Sequence, residues 1–95
     1  MKIRWLTRAT RLLRAIHSRI AEENPAAAKG VVRSIEQATH RLREFPLSGR
    51  VGRIAGTSEL VVRGLPYIIV YRINDGEIQI LRVFHTAIEW PAILE

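Results

Sequence analysis

The spacing of apolar positions changes several times along the chain, and each change marks an element. Residues 2–6 alternate, with Ile3 and Trp5 set between Lys2 and Arg4, the pattern of a short half-buried strand. Over residues 8–23 the period lengthens. Leu12, Leu13, Ile16 and Ile20 form one helical stripe, and Arg8, Arg11, Arg14 and Arg19 lie mostly off it. Thr7 is the expected N-cap of this helix. Asn24-Pro25 then ends one helix and starts another, since Asn caps well and Pro fits the first helical position. The second helix should run to about Glu44, ahead of Phe45-Pro46, because the residue before Pro resists the helical region. Its apolar positions, Ala28, Val31, Ile35, Ala38, Leu42 and Phe45, step alternately by three and four, the seam spacing of a helix that packs along its length.

Residues 46–57 hold Pro46 and three glycines and read as a loop. Glu59 to Arg63 reads as a strand that Gly64-Leu65-Pro66 breaks. Tyr67 to Ile73 is continuous, β-branched and aromatic, as in a central strand buried on both faces. Asn74-Asp75-Gly76 is a tight hairpin turn, and Glu77 to Phe84 completes a meander. His85 to Trp90, before Pro91, has room for one helical turn. The order β-α-α-β-β-β predicts a single α+β domain over residues 1–95. A helical hairpin should pack on one face of a small antiparallel sheet, because both layers have an apolar side to bury.

Composition narrows the chemistry. Ninety-five residues, 47% of them hydrophobic, suffice for one small core. The chain has no Cys, so disulfides, thiolate metal sites and a Cys nucleophile are excluded. No apolar core follows the first basic residues, and the longest apolar run, Leu65 to Tyr71, is too short to span a bilayer. The expectation is a cytoplasmic protein with no membrane contact. Net charge is +6, and thirteen of the fifteen basic residues are Arg. Residues 1–50 hold eleven basic and four acidic side chains, residues 51–95 four and five. The positive field is thus concentrated in the first half, and guanidinium suits phosphate or carboxylate. An anionic partner is implied: nucleic acid or an acidic protein segment.

Individual candidates are fewer. Arg50 and Arg53 lie in the Gly-rich loop, where backbone amides could approach an anion. They are candidate contacts to a target or a phosphate, and pairing with the chain's own acids is the competing role. His17 and His40 lack a second ligand at i+3 or i+4, so no metal and no cofactor is expected. Tyr67 and Tyr71 share one face of the central strand, where core packing outweighs base stacking. Trp5 and Trp90 read as core or rim packing.

Several segments, in order and at matching spacing, resemble the RelE/ParE superfamily of toxins from bacterial type II toxin–antitoxin pairs. They are Ile3-Arg4-Trp5, Glu23-Asn24-Pro25 with Ala26-Ala27-Ala28, Phe45-Pro46 leading to Gly49-Arg50-Val51-Gly52-Arg53, Gly56-Thr57-Ser58-Glu59-Leu60-Val61-Val62, Pro66-Tyr67-Ile68-Ile69-Val70-Tyr71-Arg72, Ile80-Leu81-Arg82-Val83-Phe84-His85 and Trp90-Pro91. The resemblance implies a growth-inhibiting toxin neutralised by a cognate acidic antitoxin in a hetero-oligomer. Arg8, Arg11, Arg14 and Arg19 are the expected antitoxin contacts. RelE-like members cut messenger RNA on the ribosome, whereas ParE-like members inhibit DNA gyrase and need no catalytic residue of their own.

For RNA cleavage a base, an acid and a phosphate-holding cation must meet at one spot. The candidates are His85, Arg82, Arg63 and Arg72, with Tyr67 or Glu59 as further members of the set. Arg82 stands three residues before His85, so a regular strand points the two to opposite faces unless a bulge or bend lies between them. RelE-like nucleases carry an Arg on the central strand three residues before a Tyr. Aligned on Tyr71, that position is Ile68, which favours the ParE branch. A basic nucleic-acid-binding module without toxicity is a third reading.

Overall fold

A computed structural model describes residues 1–87. Its elements are β1 (Lys2–Trp5), α1 (Thr7–Ala21), α2 (Pro25–Arg41), β2 (Arg50–Val51), β3 (Ser58–Val61), β4 (Tyr67–Asn74) and β5 (Glu77–His85). The expected turn at His85 to Trp90 lies, beyond Ala87, outside the described residues, as does Trp90.

The five strands form one sheet in the order β1-β5-β4-β3-β2, with β4 at its centre as the unbroken apolar run predicts. β2, β3, β4 and β5 pair antiparallel, and β1 joins the edge of β5 in parallel. Between β4 and β5 the chain reverses through Asp75 (φ 51°) and Gly76 (φ 73°). Left-handed backbone at both turn residues is what a two-residue hairpin loop requires, and Asp-Gly supplies it cheaply.

The helical hairpin covers one face of the sheet. Ala9, Ile16, Ile35, Ala38 and Leu42 from the helical region meet Val62, Tyr67, Ile69, Tyr71, Ile78, Ile80 and Val83 from the sheet region, with Ile3, Trp5, Leu13 and Ile20 packed at the margin. A smaller cluster on the opposite face joins Ile68, Val70 and Phe84, with Ile54 and Leu81 against it. β4 is therefore buried on both sides from Tyr67 to Tyr71, whereas Arg72, Ile73 and Asn74 are exposed, short of the expected burial through Ile73.

Four local expectations need correction. Leu6, not Thr7, is the N-cap of α1; it has extended backbone and no capping side chain, while Thr7 is already helical. The amide of Leu6 donates to the Ile80 carbonyl at 3.0 Å, so its pairing with β5 sets where the helix begins. α2 stops at Arg41, three residues short of Glu44. Its last turn tightens, with Leu42, Arg43 and Glu44 bonding back to residues three before them, the common ending of a helix that cannot continue. That tightening rotates Phe45 off the seam, and it is 60% exposed. The loop over residues 46–57 also contains a two-residue strand, β2. The start of α2 is as expected: the Asn24 side chain accepts from the Ala27 amide at 3.0 Å, with Pro25 opening the helix.

Tyr71 ties the loop to the core. Its ring is buried, and its hydroxyl donates to the Pro46 carbonyl (2.8 Å) and accepts from the Gly49 amide (3.0 Å). A Cβ at Gly49 would lie 2.6 Å from that hydroxyl, which explains Gly at this position. Tyr71→Phe should cost about 1–3 kcal/mol, the usual penalty for leaving buried polar groups without a partner. Gly49→Ala should also destabilise, by displacing the same ring. Urea midpoints of the two variants measure both losses.

Candidate functional site

The β4–β5 ladder is irregular at one place. Val70 pairs with Arg82, yet Tyr71 pairs with Ile80, so Leu81 is an extra residue on β5, a β-bulge. Before it, Ile78 and Ile80 face the helices. After it, Val83 and His85 do, and Arg82 and Phe84 turn to the open face with Ile68 and Val70. The bulge thus moves Arg82 from a core-facing position to the open side of the sheet.

There Arg82 lines a cleft of about 440 Å³ with Arg8 from the first turn of α1, Arg72 from β4, and Ile54 and Thr57 from the loop. Partial burial, and then the charge of Arg8, pull the Arg82 guanidinium below its ordinary pKa. Arg72 is anchored, its Nε donating to the Gln79 side-chain carbonyl at 2.7 Å. Gln79 Nε2 in turn donates to Glu77 Oε1 (2.8 Å), which also accepts from Arg4 Nε (2.9 Å). The hydrogen bond from Gln79, then the positive charges of Arg4 and Lys2, hold the Glu77 carboxyl below the usual carboxylate range against the opposing effect of desolvation.

The structure does not bring His85, Arg82 and Arg63 together. His85 pairs with Tyr67 across the ladder, its ring edge-on at 5.4 Å, and its Nδ1 accepts from the Ala87 amide at 3.1 Å. The regular register from Arg82 to His85 leaves the two on opposite faces, because the bulge lies before Arg82 and not between them. Arg63, past the end of β3, lines a second cleft with Arg41 and the exposed Phe45. Tyr67 and Tyr71 are buried in the main core.

The loop arginines are organised by Glu59, a buried carboxylate on β3. Glu59 Oε1 accepts from Arg50 Nε (3.3 Å) and Nη2 (3.2 Å), and Oε2 accepts from the Arg53 amide (2.9 Å). Arg50 therefore has an internal partner. Arg8, Arg11, Arg14 and Arg19 are all exposed on α1, and Arg8 also lines the cleft beside β5. Among the described residues, no group of three potential His, Cys, Asp or Glu ligands could hold a metal ion.

Sequence reasoning set Arg72 and Arg82 among the same candidates but missed Arg8 beside them and the part played by Glu59. One signal for the first was present. Apolar steps of two through Ile78 and Ile80 change to a step of three at Val83, as an inserted strand residue requires.

A helical hairpin laid over a sheet with a basic open face defines a toxin domain of the RelE/ParE superfamily. The family described as the ParE toxin of the type II toxin–antitoxin system, parDE, matches residues 3–90, and the chain belongs to it. The chain is 46% identical over 93 residues to the protein named "Putative toxin Y4kP" of Sinorhizobium fredii, covering 98% of this chain and 96% of that one. It is 37% identical over 83 residues to Toxin RelE2 of Caulobacter vibrioides, covering 87% and 92%. Among solved structures, a chain of the chromosomal ParDE system from P. aeruginosa superposes with a TM-score of 0.81 at 26% identity, covering 90% of this chain and 95% of that one. A chain of the RelBE2 toxin–antitoxin complex from Mycobacterium tuberculosis gives 0.56 at 30% identity, covering 88% and 95%.

Two outcomes test this geometry. Glu59→Ala should cost about 1–3 kcal/mol, as expected when hydrogen bonds to a buried charged group are lost, and should speed hydrogen exchange at the Arg53 amide. Arg50→Ala should cost less, since its side chain is 54% exposed. An equal loss in the two variants would mean that the ion pair, not the amide contact, holds the loop. The second outcome concerns pH. The folded carboxyl of Glu77 has a depressed pKa, so its contribution is present above the ordinary carboxylate range and is lost as pH falls through the folded value. The stability difference between the parent and Glu77→Gln should therefore shrink on acidification, as pH-dependent urea melts would show.

Proposed function

We propose that this toxin arrests growth by binding and occluding its target, DNA gyrase, and that a cognate acidic antitoxin neutralises it in a cytoplasmic hetero-oligomer. The observation that carries the reading is the content of the cleft on the open face. The cleft holds three guanidinium groups, and among the described lining residues there is no carboxylate, imidazole or phenol to move a proton. Ile68, at the position where RelE-like nucleases carry a cation, is 3% exposed and packed with Val70 and Phe84. Strand cleavage needs a proton acceptor, a proton donor and a cation at one place, whereas occlusion needs only a complementary surface. The ParE family match and the closer superposition on the ParDE chain support the same branch.

The relative named RelE2 gives the alternative its motive: a ribosome-dependent endoribonuclease using His85 with Arg82 and Arg63. Arg50 and Arg53 would be target contacts in the first reading and phosphate contacts in the second. A non-toxic nucleic-acid-binding module is the weaker third possibility, since it leaves the family membership unused.

Purified toxin should inhibit gyrase supercoiling in vitro, and His85→Ala should keep that inhibition and its growth arrest. Cleavage of messages on stalled ribosomes by the purified protein, abolished in a folded His85→Ala variant, would replace this reading with the nuclease.

A further inference from the structure

The cleft at the start of α1 carries positive charge that nothing among the described residues balances. Leu6 caps the helix without a side-chain hydrogen bond, and the first turn contains no acidic residue. The first amides of any helix lack intrahelical acceptors, and the helix dipole adds partial positive charge at that end. Acidic side chains are the usual complement there, yet Arg8 stands in the first turn, with Arg82 and Arg72 beside it. Arg72 is bonded to Gln79, but neither Arg8 nor Arg82 has a carboxylate partner among the described residues. Helix end and guanidinium groups are independent features that call for the same thing, an anion.

The walls indicate which kind. Leu6, Ile54, Val70 and Leu81 are aliphatic, and no aromatic side chain among the described residues lines the cleft to stack a base. Nucleic acid would gain phosphate contacts there but no base platform. A peptide with a carboxylate flanked by aliphatic side chains matches both the cations and the walls.

We propose that this cleft is a carboxylate-binding site, in which the guanidinium groups of Arg8, Arg72 and Arg82, beside the positive end of α1, receive an acidic side chain from an aliphatic-rich partner segment. The site rests on the reading of an acidic protein partner and gives that partner a place to dock. It differs from a contact spread along α1, because Arg11, Arg14 and Arg19 do not line it. The charge that no described carboxylate balances is neutralised when the anion enters. Geometry of this kind also accounts for the depressed Arg82 guanidinium.

The full chain should be titrated with the peptide Ac-Leu-Glu-Ile-Glu-Leu-NH2, its Gln counterpart, and a ten-nucleotide oligothymidylate, with amide chemical shifts as the readout. The acidic peptide should move the amides of Thr7, Arg8 and Ala9 saturably, and the Gln peptide should not. Arg82→Met should weaken that binding about tenfold or more, as removal of a charge-assisted hydrogen bond does. Arg8→Gln serves as the second variant. It should weaken the peptide similarly and raise the melting temperature of the free chain at low salt, by removing a cation from a positive helix end. Three results would each overturn the site: amides that do not move, an oligonucleotide that binds there more tightly than the acidic peptide, or an Arg8→Gln variant that melts below the parent. All are read on the chain alone, so they stand apart from the supercoiling assay, whose failure would remove the gyrase target and leave this site intact.

Discussion

One inserted residue in the β4–β5 ladder governs what each side of the sheet presents. Without Leu81 as an extra residue, strict alternation would direct Arg82 into the apolar core with Ile78 and Ile80, where an unpaired guanidinium is costly. The bulge absorbs the conflict. It returns Val83 to the helical side and turns Arg82 outward. It also puts His85 on the helical side, and the regular strand between Arg82 and His85 keeps the two on opposite faces. The open-face cleft therefore gathers cations with no carboxylate, imidazole or phenol among its described lining residues, and that division underlies both the occlusion reading and the carboxylate cleft.

The loop between α2 and β3 is held by two buried side chains. Tyr71 grips it at Pro46 and Gly49, and Glu59 grips it at Arg50 and Arg53. Both anchors come from the interior of the sheet, so the position of this Gly-rich segment follows from core packing. That keeps Ile54 and Thr57 in register with the cleft they line. A loop with so little side-chain bulk of its own would otherwise be poorly ordered.

Elements with a strong period were legible from sequence. The two helices, the central strand and the Asp75-Gly76 turn each follow from one dominant local pattern, whereas the family resemblance rested on the helix corner and the central strand together with β1, the loop, β3 and β5. What escaped was set by tertiary pairing. Leu6 caps α1 because its amide bonds to Ile80, a residue far along the chain. Phe45 leaves the helical seam because α2 tightens before Pro46. β2 exists because Arg50 and Val51 meet Glu59 and Ser58, and two residues carry no period of their own. The candidate site was legible as residue types and not as a grouping. Arg8 and Arg82 are neighbours only because the bulge faces the first turn of α1, whereas the sequence assigned one to a helix surface and the other to a hypothetical dyad.

The parallel seam between β1 and β5 has a consequence for synthesis. Lys2 to Trp5 find their backbone partners at Glu77 to Ile80, so β1 must wait until the distant β5 has been made. Until then the helical hairpin has no finished sheet to lie on, and the early product is an amphipathic hairpin with its stripe uncovered. Such long-range closure slows folding. The edge of the sheet that β1 occupies is therefore built only after β5 has left the ribosome.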